Sequence, residues 1–167
     1  MKILVISAEV WRDDKNGGNV LSNIFEGFDA EFAQIYRSNG IPSNLLCKKY
    51  FQMTDSMAVK NVLKREKIGK GLTYENYPAY GKGNRGLAEE KSIKGYSFFH
   101  NHNYPIFYMV KTIIWKLADW RTVELEEFVR DFSPDIIFAP CYGDCHMQAL
   151  GRYVQDIAKV PIVSYVS

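Results

Sequence analysis

The sequence predicts a doubly wound α/β fold, a parallel sheet with helices on both faces. Three observations carry this. Lys2 to Ala8 is a β-branched run, apolar on both sides, as suits a strand covered from two directions. Apolar residues at helical spacing follow it, and the same change of period returns late in the chain around a second apolar run, "SPDIIFAP". Strands that alternate with helices pair in parallel through right-handed crossovers.

Val20, Leu21, Ile24, Phe25 and Phe28 recur at helical spacing, which predicts a helix from about Asn19 to Phe28. Phe32 to Tyr36 reads as a second strand, closed by the Asn39-Gly40 turn signal. "NLLCKKYF" suits a third strand, after which Thr54 or Asp55 caps a helix carrying Val59, Val62 and Leu63. Lys67 to Tyr96 is rich in Gly, Tyr and charge with little periodicity, and is expected to be mostly loop. Beyond Pro105, one helix is expected to turn Ile106, Phe107, Met109, Val110, Ile113, Ile114 and Leu117 to the core. A second helix carries Leu125, Phe128, Val129 and Phe132, with a break at Asp119 to Thr122. Pro134 stops that helix and Ile136 to Ala139 form a buried strand. Asp144 caps a further helix that faces Met147, Leu150, Val154 and Ile157 inward, and Pro161 precedes a last strand, "IVSYV".

A chain of 167 residues fits one domain, residues 1–167, and buries a sizeable core. Its 47% hydrophobic and 24% charged residues exclude disordered and fibrous classes. A net charge of +2 gives no argument for nucleic acid. No segment approaches the roughly 18 to 20 apolar residues of a spanning helix, and the first run lacks the length of a signal peptide. Three cysteines fit a reducing compartment, so the expected location is the cytoplasm, with the inner face of the membrane as a further seat. The sequence stops at Ser167 directly after a strand, which is expected of a fragment of a longer protein.

In such sheets ligands sit outside the carboxyl ends of the strands. Three loops leave those ends: Glu9 to Asn19, Pro140 to Asp144, and the region after Val166. In the first, adjacent Gly17 and Gly18 precede a helix whose unpaired N–H groups attract an anion, although the same residues also suit a plain turn. Neither the dinucleotide fingerprint nor the P-loop spacing is present, and Asp13 and Asp14 would repel a phosphate unless they point away or bind a hydroxyl. "CYGDCH" invites a metal or a Cys141 nucleophile, but too few ligands and no assignable base stand near it, and buried cysteines in a strand-to-helix turn are expected. Tyr142, Asp144 and His146 sit where a substrate hydroxyl could be gripped. His100 and His102, two apart, make an incomplete metal site and are read as solvated loop residues or as polar contacts to an acceptor. The basic run "KNVLKREKIGK" is read as a wet helix face, or as a surface for anionic lipid.

"KILVIS", the Gly-Gly loop before a helix, "SPDIIFAP" and "ALGRYVQDIAKVPIVSYVS" together resemble the amino-terminal half of GT-B glycosyltransferases, nearest to the retaining, family-four-like enzymes of bacterial polysaccharide synthesis. The resemblance covers Met1 to Phe28 and Ser133 to Ser167. It departs at Lys159, where glycine is common, at Phe138 to Cys141, where a histidine often follows the strand, and in the charged insert Trp11 to Lys15. The resemblance implies two Rossmann-like domains facing each other across a cleft, the first holding the acceptor and the second the nucleotide-sugar. It implies that Gly17, Gly18 and Asn19 lie against the donor diphosphate, and that Tyr142, Asp144 and His146 line the acceptor side. The expected partners are a nucleotide-sugar, a glycan or lipid-linked acceptor, the carboxy-terminal domain of the same protein and a membrane surface; catalytic residues are unassigned, and neither metal nor cofactor is expected. Alone, the fragment is expected to be inactive. The rival reading is a non-catalytic flavodoxin-like or receiver-like binding module, and a third is a sugar-nucleotide epimerase.

Overall fold

The structure, a computed structural model, describes residues 1–13, 19–73, 105–140 and 144–164. Six strands form one sheet: β1 (Lys2–Ser7), β2 (Glu31–Tyr36), β3 (Cys47–Gln52), β4 (Lys70–Thr73), β5 (Ile136–Phe138) and β6 (Ile162–Val163). The helices are α1 (Asn19–Ile24), α2 (Asp55–Lys64), α3 (Pro105–Leu117), α4 (Val123–Phe132) and α5 (Cys145–Ala158).

The strand order is β4-β3-β2-β1-β5-β6, and every pair is parallel except β3 with β4. Chain direction across the sheet therefore reverses at β1, whose neighbours are β2 and β5. A flavodoxin-like or receiver-like module would place its third strand on the far side of β1, so the observed order sets that rival topology aside.

Alternation along the strands separates two cores. Ile3, Val5, Phe32 and Tyr36 pack with Leu21 and Phe25 on the face covered by α1. Leu4, Ile6, Ala33, Ile35 and Ile137 pack on the other face against Ala58, Trp115, Leu125, Val129, Met147, Leu150 and Val154, from all four remaining helices. Helices thus lie on both faces, but unequally. A right-handed crossover run in opposite directions from β1 puts α1 and α5 on opposite faces, as the handedness rule requires.

Several elements end for local reasons. Thr54, Thr122 and Asp144 each accept an N–H of the first turn of α2, α4 and α5. Arg65, Ser133 and Lys159 close the same three helices in the left-handed conformation, φ 60°, 50° and 58°. Lys159 thereby occupies a backbone state that favours glycine.

Four expectations need correction. The first helix stops at Ile24, because Gly27 turns left-handed at φ 77° and leaves Phe28 half exposed. Within the expected loop after Lys67, residues 70–73 form an antiparallel edge strand on β3. On α2, Leu63 is exposed, and the buried residues are Ser56, Ala58 and Asn61. On α3, Ile114, Trp115 and, beyond its end, Ala118 pack inward, while Met109, Val110, Ile113 and Leu117 face out, and the side chains of Ile106 and Phe107 lie outside the described residues. Among the described residues no helix is long and apolar enough to cross a membrane.

Candidate functional site

The carboxyl edge of the sheet collects charge. Arg37 follows β2, Asp55 opens α2 after β3, Lys111 and Trp115 belong to α3, and Asp144 caps α5 after β5. Their side chains meet. Arg37 Nη1 donates to Asp144 Oδ2, and Arg37 Nε lies 3.7 Å from Asp55 Oδ1. Lys111 Nζ lies 3.0 Å from Asp55 Oδ2 and 3.9 Å from Asp144 Oδ2. Trp115 Nε1 donates to Asp55 Oδ1 at 2.7 Å. Two cations and two carboxylates alternate in one largely enclosed network, each charge offsetting the desolvation of its neighbours.

Burial pushes the Asp55 carboxyl up, but the charges of Lys111 and Arg37 and the Trp115 and Lys111 hydrogen bonds outweigh it and hold the group below its ordinary value. Asp144 behaves alike: burial raises it, while the hydrogen bond and charge of Arg37, the His146 N–H and the charge of Lys111 bring it lower. Both carboxylates are ionised at neutral pH.

His146 gives its backbone N–H to Asp144 Oδ1 at 2.9 Å, while its ring sits beside the network. Its ring stacks on Trp115 with centroids 3.7 Å apart and meets the edge of Trp120 at 5.2 Å. Only 7% of the residue is exposed, and neither ring nitrogen has a hydrogen-bond partner among the described residues. Burial, and then the charge of Arg37, pull its pKa down to about 4, so the imidazole is neutral. Of the acceptor-side candidates, the structure thus brings Asp144 and His146 together; Tyr142 lies outside the described residues.

The loop after β1 is held on the other face. Gln34, fully buried on β2, donates to Ser7 Oγ at 2.6 Å and to Glu9 O at 2.9 Å, and its Oε1 accepts Trp11 N–H at 2.9 Å. Trp11 is buried against Phe25 and Phe32, and its Nε1 donates to Ser22 Oγ on α1 at 2.7 Å. Ser22 in turn donates to the carboxylate of Asp13. Gly17, Gly18 and Asp14 lie outside the described residues, and Asn19 is the first residue of α1. Ala8 O accepts the backbone N–H groups of Arg37 and Ser38, which joins this loop to the ion network at the reversal point of the sheet.

The remaining candidates divide. Cys47 is buried and its thiol is pushed up to about 12, chiefly by burial, which makes it inert at neutral pH. Cys145 is exposed, contrary to the expected buried turn, and Cys141, His100 and His102 lie outside the described residues. Among the described residues no group of three or more His, Cys, Asp or Glu side chains is placed to hold a metal. A hollow of about 200 Å³ between β3–β4 and α4 is lined by Lys49, Tyr50, Leu72, Thr73, Phe128 and Asp131, none of them a member of the network.

Sequence reasoning missed Arg37, Lys111 and Trp115, and read Asp55 only as a cap. Comparison with protein-family models, with curated proteins and with solved structures finds no match to this chain.

Proposed function

We propose that this domain is the acceptor-side half of a GT-B-type glycosyltransferase, which moves a sugar from a nucleotide-sugar to a glycan or lipid-linked acceptor in bacterial polysaccharide synthesis. The observation that carries the reading is the network of Arg37, Asp55, Lys111 and Asp144 at the carboxyl edge, next to the reversal of strand order. Sugar hydroxyls need both acceptors and donors, and the two carboxylates and two cations supply them. The set carries no net charge, which suits a neutral polyol better than an ion.

On the donor side, Gly17, Gly18 and Asn19 at the head of α1 would receive the diphosphate. Negative charge grows on that group as the bond to the sugar breaks, and backbone N–H dipoles fixed in advance stabilise it without reorganising. A second domain of the same protein would carry the nucleotide-sugar and close the cleft.

The test incubates the full-length protein with uridine- and guanosine-diphosphate sugars and a panel of glycan and lipid-linked acceptors, and follows nucleoside diphosphate release. Acceptor-dependent release is expected. Asp144→Asn, which keeps a competent helix cap, should raise the acceptor KM or lower kcat/KM by about tenfold or more. A folded protein that releases no diphosphate with any pair would overturn the reading.

A further inference from the structure

The outer edge of β4 is open. Met53 N–H donates to Tyr36 O, so the odd-numbered residues of β3 turn their backbone groups to β2 and the even-numbered ones turn theirs to β4. Tyr50 and Gln52 stand opposite Leu72 and Lys70. Those two residues of β4 therefore engage β3, and the N–H and C=O groups of Gly71 and Thr73 point away from the sheet. β4 ends the strand order, and among the described residues nothing meets these outward groups. Gly71 and Thr73 are both exposed, and no atom lies within 4 Å of where a Cβ of Gly71 would stand. Another backbone can approach this edge closely.

Donors and acceptors alternating along a strand edge match another extended chain. Symmetry chooses which one. β4 laid antiparallel on a second β4, with Leu72 on the two-fold axis, sets Gly71 of each copy against Thr73 of the other, and each such pair exchanges both hydrogen bonds. Every outward group then has a partner. Lys70 falls at opposite ends of the ladder in the two copies, so like charges do not oppose each other. The hollow beside this edge is lined by Lys49 and Asp131, and each copy thus brings one cation and one anion to the join, a self-complementary set. The helix layer fits as well. Phe128 of α4 lies against Phe51 of β3, ring centroids 5.3 Å apart. The two β3 strands would stand about 14 Å apart, three strand spacings, beyond the distance of about 8 to 10 Å at which packed helices touch. The two α4 helices therefore pass side by side without collision.

We infer that the outer edge of β4 pairs with the same edge of a second copy of this chain, joining two sheets into one across a two-fold axis at Leu72. With four residues in β4, the contact is small and of the transient class. It uses none of the residues of the ion network, and holds or fails whatever the domain transfers.

The experiment follows sedimentation velocity of the whole chain from about 5 to 500 μM, with amide hydrogen exchange at both ends of that range. Expected are a rise from monomer toward dimer, and exchange at Gly71 and Thr73 slowed about tenfold or more at the higher concentration. Thr73→Pro removes an outward N–H and leaves the bonds to β3 in place. It should raise the concentration of half-association about tenfold or more while circular dichroism stays unchanged. A chain that stays monomeric throughout would overturn the inference. So would protection of Gly71 and Thr73 that does not change with concentration, which would assign the edge to a segment within the same chain, or a dimer whose Gly71 and Thr73 amides exchange as fast as the monomer's.

Discussion

The imidazole of His146 lies flat on the indole of Trp115, ring centroids 3.7 Å apart, and that indole gives its N–H to Asp55 at 2.7 Å. A neutral ring, an aromatic spacer and an ionised carboxylate are therefore stacked in series between α5, α3 and α2. Their protonation states set the acid response of the fold.

The His146 pKa is near 4 in the folded chain against an ordinary 6.5. The unfolded chain takes up this proton first as pH falls, so the stability is full above about 6.5 and declines until about 4, a loss of roughly 3 kcal/mol. Asp55 and Asp144 have lowered values, so their contribution is present above the ordinary carboxylate pKa and is lost only at more acid pH. Thermal unfolding from pH 7 to 4.5 should show Tm falling in the wild type and a flatter profile in His146→Phe, which keeps the stack. Identical profiles would refute the assignment.

Removing Arg37 leaves two enclosed carboxylates short of a cation. Arg37→Met should cost about 3 kcal/mol in urea unfolding, and a double-mutant cycle with Asp144→Asn should give a coupling of roughly 1–3 kcal/mol. Simple additivity would mean that the network is a coincidence of position.

Gln34→Leu keeps the volume but strands Trp11 N–H, satisfied by the buried amide, and leaves Glu9 O with Ser7 Oγ as its remaining donor. A loss of about 2–4 kcal/mol is expected. Hydrogen exchange should report it first at Trp11, before the strands open; uniform loosening would contradict the local role.

Lys159 holds φ 58° at the end of α5 with no glycine to relieve the strain. Lys159→Gly should stabilise the chain by about 1 kcal/mol, seen as a raised Tm, with the gain reduced by the looser unfolded chain. A lowered Tm would show that the lysine contributes contacts that outweigh the strain.

If the sugar-transfer proposal holds, Gly17→Val or Gly18→Val should cut turnover about a hundredfold with little change in Tm, because backbone amides near them would receive the leaving diphosphate. Unchanged transfer would leave the pair as an ordinary turn.

Much of this fold was legible because its signals are local. Thr54, Thr122 or a residue near it, Pro134 and Asp144 mark helix ends by short-range chemistry, and the Ile136 strand follows from unbroken apolar text. What escaped depends on distance. β4 has a glycine, a lysine and a threonine in four positions and becomes a strand only because Tyr50 and Phe51 offer it a free edge. The ion network joins positions 37, 55, 111 and 144, far apart in the chain and each ordinary alone. α3 was misjudged in orientation, since apolar residues surround it and periodicity could not say which side meets the sheet. Asp144 and His146 were found from their place at a strand end, but their partners could not be.

Because α3 has 13 residues and is stiff along its length, it acts as one bar with two working sides. Lys111 and Trp115 grip Asp55 from within, while Met109, Ile113 and Leu117 lie on the opposite surface. A shift of this helix therefore moves two partners of Asp55 together.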